Sequence, residues 1–264
     1  MRIAAALAFG LALSFHAPVL AQSAAPTPVP IAEWPLLKIS AMGQEIYRQD
    51  VAAWVATDAL LARFAGSPPP GLRGWIVVPE GEDQRVRFVR LEQEVVSPGW
   101  DVVVRDGRAG PVEIVTDGAL SDQELARFRA RMTAGANIGR LRCGPNMNSV
   151  VADDPDSDGW LVWLLTSTTD ANIVPMGGHY RFTISADGMT VLQRDQLSNT
   201  CLAMQKPAPP PGSQAAALLV SQIVSQTPVE THVFLSLQNR MPIYVAIGDR
   251  IFEVNGAAIR EVQR

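Results

Sequence analysis

What the chain lacks narrows its function before what it contains does. Lysine is almost missing: Lys38 and Lys206 are the only two, and every other cation is arginine. Lys and Arg together number 22 against 26 Asp and Glu, a formal net charge of -4. A mildly acidic chain with no basic cluster lacks the electrostatic footprint of a nucleic-acid binder, which argues against nucleic acid as a partner. Long apolar runs are also missing. Trp160 to Leu165 and Ala215 to Val224 are the strongest beyond the N-terminus, and both fall short of the roughly 20 residues a membrane helix needs. No transmembrane anchor is expected. There is no G-x-S-x-G, H-E-x-x-H, S-x-x-K, Walker loop, G-x-G-x-x-G or paired C-x-x-C, so the enzyme classes with a local signature are unsupported.

The N-terminus supplies an address instead. Met1-Arg2 precedes an apolar run from Ile3 to Phe15, then Pro18 and Val19-Leu20-Ala21. The run is about half a membrane span and ends in small residues, the pattern of a cleavable secretory signal over residues 1–21. The expected location is a bacterial periplasm or the medium. Loss of Arg2 with the signal would leave 21 cations against 26 anions, moving the net charge from -4 to -5.

The chain has two cysteines, Cys143 and Cys201. In an exported protein an even pair without C-x-x-C spacing predicts a disulfide. Closing a loop of about 59 residues stabilises by roughly 4 kcal/mol on the chain-entropy account.

Proline-rich stretches mark the boundaries. After the signal, residues 22–35 read as a flexible leader, including Pro26, Pro28 and Pro30. Residues 36–206 form the main body, 207–212 a proline-rich connector, and 213–264 a small C-terminal α/β-hairpin unit too short to fold comfortably alone, hence expected to dock on the body. Within the body, Tyr47, Val51, Trp54, Val55 and Leu61 make an apolar stripe predicting a helix over 44–64 that ends before Pro68. Ser121 with Glu124 three residues on predicts a capped second helix carrying Leu125, Phe128 and Met132 on one face. An alanine- and leucine-rich segment over 214–226 predicts a third. Asp106-Gly107, Asp187-Gly188 and Asn255-Gly256 signal hairpin turns, and Trp160 to Leu165 reads as a strand covered on both faces. The expected class is α+β: antiparallel sheet with hairpins and two or three helices packed on it.

Four groupings carry chemistry. Asp154, Asp156 and Asp158 before Gly159 match the first half of a calcium loop, in which alternate carboxylates converge on a hard cation. The bidentate glutamate of the twelfth position is replaced by Leu165, and the same residue types build ordinary surface turns. His179 and His232 are the two histidines beyond the signal. On strands, alternation would place each on the more polar face, and with Glu230 they make a possible two-histidine, one-carboxylate metal site, or a histidine base near Ser185 or Ser236. The bland alternative is a pair of structural histidines. Arg181, Arg240 and Arg250 are candidates for an anion pocket. Among six tryptophans, Trp34, Trp54, Trp75 and Trp100 suggest a carbohydrate platform, whereas Trp160 and Trp163 read as core. Gly177-Gly178 permits a close backbone approach, to a ligand or within a turn.

The leading expectation is an exported non-catalytic binding or interaction protein, with an envelope protein or a small ligand as its partner. The alternative is a metal-assisted or histidine-dependent hydrolase working through His179, Glu230 and His232. No cofactor is expected beyond calcium at the aspartate turn.

Overall fold

The computed structural model describes residues 29–116, 118–208 and 216–262. The expected signal, residues 22–28 of the leader and residues 209–215 of the connector region lie outside these. The order of elements is helix α1 (Leu36–Arg63), strands β1 (Leu72–Glu80), β2 (Asp83–Glu92), β3 (Val95–Arg105) and β4 (Arg108–Ile114), helix α2 (Asp122–Ala136), strands β5 (Met147–Asp153), β6 (Trp160–Thr166), β7 (Ile173–Pro175), β8 (Tyr180–Ile184), β9 (Val191–Gln196), β10 (Ala203–Gln205) and β11 (Leu218–Ser221), helix α3 (Glu230–Asn239), and strands β12 (Ile243–Ile247), β13 (Arg250–Asn255) and β14 (Ala258–Val262). This is an α+β protein of mostly antiparallel sheet.

Three four-stranded sheets make up its bulk. The first is a meander in the order β1-β2-β3-β4, and the second runs β5-β6-β8-β9, with β7 and β10 paired beside it. Strand β6 is buried along its whole length at the centre of the second sheet, as its unbroken apolar run requires. The third sheet, β11-β12-β13-β14, holds the one parallel pairing among the described strands, β11 with β12, bridged by α3. Positive backbone φ at Asp106 and Gly107 closes the β3–β4 hairpin.

Helix α1 starts eight residues before the expected position, directly after Pro35. Its buried face is not the large-residue stripe. Ile39, Gly43, Ile46, Ala52, Ala53, Ala56 and Leu60 point inward, and Trp54 is 64 % exposed. Small residues win because they let the helix approach its neighbours. At Gly43 any Cβ would collide with Val233 of α3. The first half of α1 joins a core built from Trp163, Leu165, Leu235, Val245 and Phe252, while its second half covers Val86, Phe88 and Trp100 of the first sheet.

Helix α2 has the expected cap. Ser121 Oγ accepts from the Glu124 N–H at 3.2 Å, and the Ser121 N–H donates to Glu124 Oε2 at 2.9 Å. Leu125, Phe128 and Met132 pack toward Ile76 and Val89 of the first sheet, while Ala126, Ala130 and Ala134 face Val162 and Phe182 of the second.

The C-terminal region departs from its sequence reading. The segment expected to be helical over 214–226 contains strand β11, because pairing with β12 overrides the helix preference of alanine and leucine. Glu230 to Leu237, read as strand, is helical. Residues 230 to 236 of α3 are all buried, and a helix covered on every side loses the 3.6-residue polar alternation that would reveal it. Of the residues assigned to the leader, the described end is docked: Ile31 is 8 % exposed and its N–H donates to the Val224 carbonyl at 3.0 Å.

Cys143 and Cys201 form a disulfide with an S–S distance of 2.04 Å. Gly177 and Gly178 serve it. A Cβ at Gly178 would strike Cys143, and one at Gly177 would strike the Thr200 backbone. The close approach permitted by these glycines is internal. Among the described residues, no helix is long and apolar enough to cross a membrane.

Candidate functional site

The residues singled out for hydrolysis lie in the interior. His179 is 1 % exposed. The Thr166 N–H donates to its Nδ1 at 3.1 Å, so the ring proton sits on Nε2, which donates to the Pro175 carbonyl at 2.7 Å. Burial pushes its pKa down to about 4. His232 lies in the first turn of α3, where Nδ1 accepts from the Val229 N–H at 3.1 Å. Burial, reinforced by repulsion from His179, lowers its pKa to about 3. Both imidazoles are therefore neutral and act as hydrogen-bonding struts.

Glu230 belongs to a buried ion network. Arg181 Nη1 donates to both its oxygens, at 3.3 and 3.2 Å, and Trp163 Nε1 donates to Oε1 at 2.8 Å. The rest of the Arg181 guanidinium is consumed by Asp195 (2.6 and 3.0 Å) and the Ala32 carbonyl (2.7 Å), with Trp34 stacked at 3.7 Å from its centre. Gln193 donates to the remaining oxygen of Asp195 at 2.9 Å. Every partner is supplied by the fold.

The other expectations scatter. Arg250 pairs with Glu261 at 2.8 Å on an exposed hairpin, and Arg240 is the left-handed residue that ends α3. Asp154, in the β5–β6 turn, accepts from the Asp156 N–H and the Ser157 hydroxyl, and Asp156 pairs with Lys38 at 2.5 Å. Among the described residues, no group of three or more His, Cys, Asp or Glu is placed to hold a metal ion. Trp34 and Trp100 are used internally, whereas Trp54 and Trp75 face a cleft.

That cleft, of about 670 Å³, lies between α1, β1, β5, the β6–β7 loop and the end of α3. Asp50, Trp54 and Thr57 line it from one helical face, spaced i, i+4, i+7. Asn148, Thr168, Asp170, Lys206 and Gln238 complete a polar rim, and Trp75 forms an apolar wall. Asp50 is half-buried, and burial raises its pKa to about 6 against the opposing effect of the Asn148 hydrogen bond. Its only donors among the described residues are two side-chain amides, Asn148 Nδ2 at 3.2 Å and Gln238 Nε2 at 3.3 Å. A carboxylate offers about four acceptor positions, so Asp50 faces the cavity with acceptor capacity unused.

Trp54 stood in the sequence both in an apolar helical stripe and among the platform tryptophans, whereas Asp50 was passed over, because the contributing side chains come from six separate stretches with no local motif. The i, i+4, i+7 spacing of acid, tryptophan and hydroxyl was the available signal. No protein-family model, curated protein or solved structure matches the chain.

Proposed function

We propose that this is an exported binding protein that takes a small, hydroxyl-rich ligand of the saccharide class in the cleft of Asp50, Trp54 and Trp75. The observation that carries this reading is Asp50: a half-buried carboxylate with amide donors and no ion-pair partner among the described residues, lining a cavity of ligand size whose rim also carries Lys206. Ligand hydroxyls donate to such a carboxylate, the neighbouring amides both donate and accept, and the apolar C–H face of a sugar ring stacks on an exposed indole. The periplasm or medium is the proposed location, supported by the disulfide, which persists in oxidising compartments.

The test is isothermal titration of the oxidised protein with neutral mono- and disaccharides (glucose, galactose, N-acetylglucosamine and their dimers), alongside Trp54→Ala and Asp50→Asn. Binding to the wild type that weakens by about tenfold or more in each variant is the expected result. Absence of binding by the whole panel at about 10 mM would sink the reading. Release of new reducing ends from a disaccharide would replace it with a hydrolase.

A further inference from the structure

Beyond the Trp75 wall lies a second cavity, of about 480 Å³, lined by Arg73, Arg131, Arg142, Ser149 and a set of small or apolar residues, with no acidic side chain. In a chain with more carboxylates than cations, three arginines gather here and no carboxylate among the described residues pairs with any of them.

The backbone is shaped to bring them together. The β1–β2 ladder slips between Leu72 and Gly74, so Arg73 sits on a bulge, a device that re-aims a side chain. A Cβ at residue 74 would collide with the Arg131 guanidinium, so Gly74 makes the space that group occupies. Arg131 is then fixed by two contacts: its Nε donates to Ser149 Oγ at 2.6 Å, and its guanidinium lies 4.3 Å from the centre of the Trp75 ring. Its terminal nitrogens are left without a carboxylate. Arg142 stands next to Cys143 and is placed by the disulfide-bonded segment. Burial and the charge of Arg73 both push the Arg131 pKa down, to about 10.

Like-charged guanidinium groups around a cavity, one of them held in place, suit a multiply charged oxyanion, since each offers forked donors and the anion offsets their repulsion. We infer that Arg73, Arg131 and Arg142 form an anion subsite for a phosphate monoester group, and that the group is carried by the ligand of the neighbouring cleft. The joining rests on the proposed function above. Trp75 and Ser149 line the cleft and both contact Arg131, and Ser149 lines the second cavity as well. The ligand class is then a phosphorylated saccharide.

The experiment is isothermal titration of the oxidised full chain, freed of phosphate, with inorganic phosphate, acetate, glucose and glucose 6-phosphate. Arg73→Gln, Arg142→Gln and the double variant serve as probes, because both side chains are exposed and their loss leaves the core intact. Inorganic phosphate should bind the wild type, each single change should weaken it about tenfold, and glucose binding should be unchanged. Asp50→Asn should do the reverse. Glucose 6-phosphate should bind more tightly than either glucose or phosphate alone, because tethering makes the second contact intramolecular. No phosphate binding, equal binding by the double variant, or acetate binding as tight as phosphate would overturn the anion subsite, whatever glucose does. Phosphate binding with no gain for the phosphorylated sugar would overturn its connection to the cleft.

Discussion

Of the four arginines that lie over tryptophan rings among the described residues, Arg181 and Arg131 make the closest approaches, and they differ in what surrounds them. Arg181, against Trp34, is 2 % exposed and spends its donors on Asp195, Glu230 and a backbone carbonyl. Arg131, against Trp75, has one serine hydroxyl and no carboxylate among the described residues. The first is a closed network that ties the leader, the second sheet and α3 to one another. The second is an open half of an interaction. The same contrast separates the acids: Glu230 is fully buried and paired with Arg181 and Trp163, whereas Asp50 has two long amide contacts, no counter-charge among the described residues, and a cavity. Where the fold supplies every partner the group is structural; where it leaves a charge without a counter-charge next to a cavity, the proposal is that a ligand completes it.

The largest effect should come from cutting the closed network. Arg181→Met leaves two carboxylates buried without a counter-charge and is expected to cost about 3–5 kcal/mol in urea unfolding. A cost below about 1 kcal/mol would break the comparison at its strong end. Reduction of the disulfide follows, with an expected loss of roughly 4 kcal/mol, less any strain relieved. It should also loosen the Arg142 side of the anion subsite, so phosphate affinity should fall on reduction while glucose affinity holds.

Acid separates the two regions by sign. His179 and His232 have folded pKa values of about 4 and about 3, below the value near 6.5 of an unfolded chain. The unfolded state therefore binds more protons below about pH 6.5, and stability falls as pH drops from there toward 4, by about 2 kcal/mol per histidine at pH 5. Asp50 is raised to about 6, so the folded state takes up its proton first and this group contributes in the opposite direction as pH falls from about 6. Histidine-to-glutamine variants should flatten the loss on acidification measured by thermal melting, if they fold. Asp50→Asn should instead remove the opposing contribution and steepen that loss.

The smallest expected effect completes the comparison. Arg131→Met forfeits one hydrogen bond and one stacked cation but strands no acid, so it should cost only about 1 kcal/mol. A penalty equal to that of Arg181→Met would show that the open arginine is as structural as the closed one.

The fold class was readable because its signals are local. The Ser121–Glu124 box, the doubly covered strand 160–165 and the Asp-Gly turn at 106–107 each depend on neighbours in sequence, and Cys143–Cys201 was favoured over a metal pair or a free thiol by the even count without C-x-x-C spacing. The C-terminal helix was hidden because α1 and the third sheet bury it all round, and its Thr231, Val233 alternation imitates a strand. The sites were less legible. His179, His232 and Glu230 drew attention as rare or ionisable residues, yet rarity carries no information about burial. Asp50 and Arg131 looked ordinary within their helices, and what distinguishes them is that no opposite charge among the described residues pairs with either, a property of the folded surroundings that no sequence window contains.

Because Asp50 is the acceptor at the centre of the proposed site, the decisive measurement is the pH dependence of neutral disaccharide binding, by isothermal titration from about pH 5 to about pH 8, in wild type and Asp50→Asn. Wild-type affinity should fall as the pH drops through about 6, as Asp50 takes up its proton, and the variant should show a weak, pH-flat affinity. Equal affinities and equal pH profiles for the two proteins would contradict this role for Asp50.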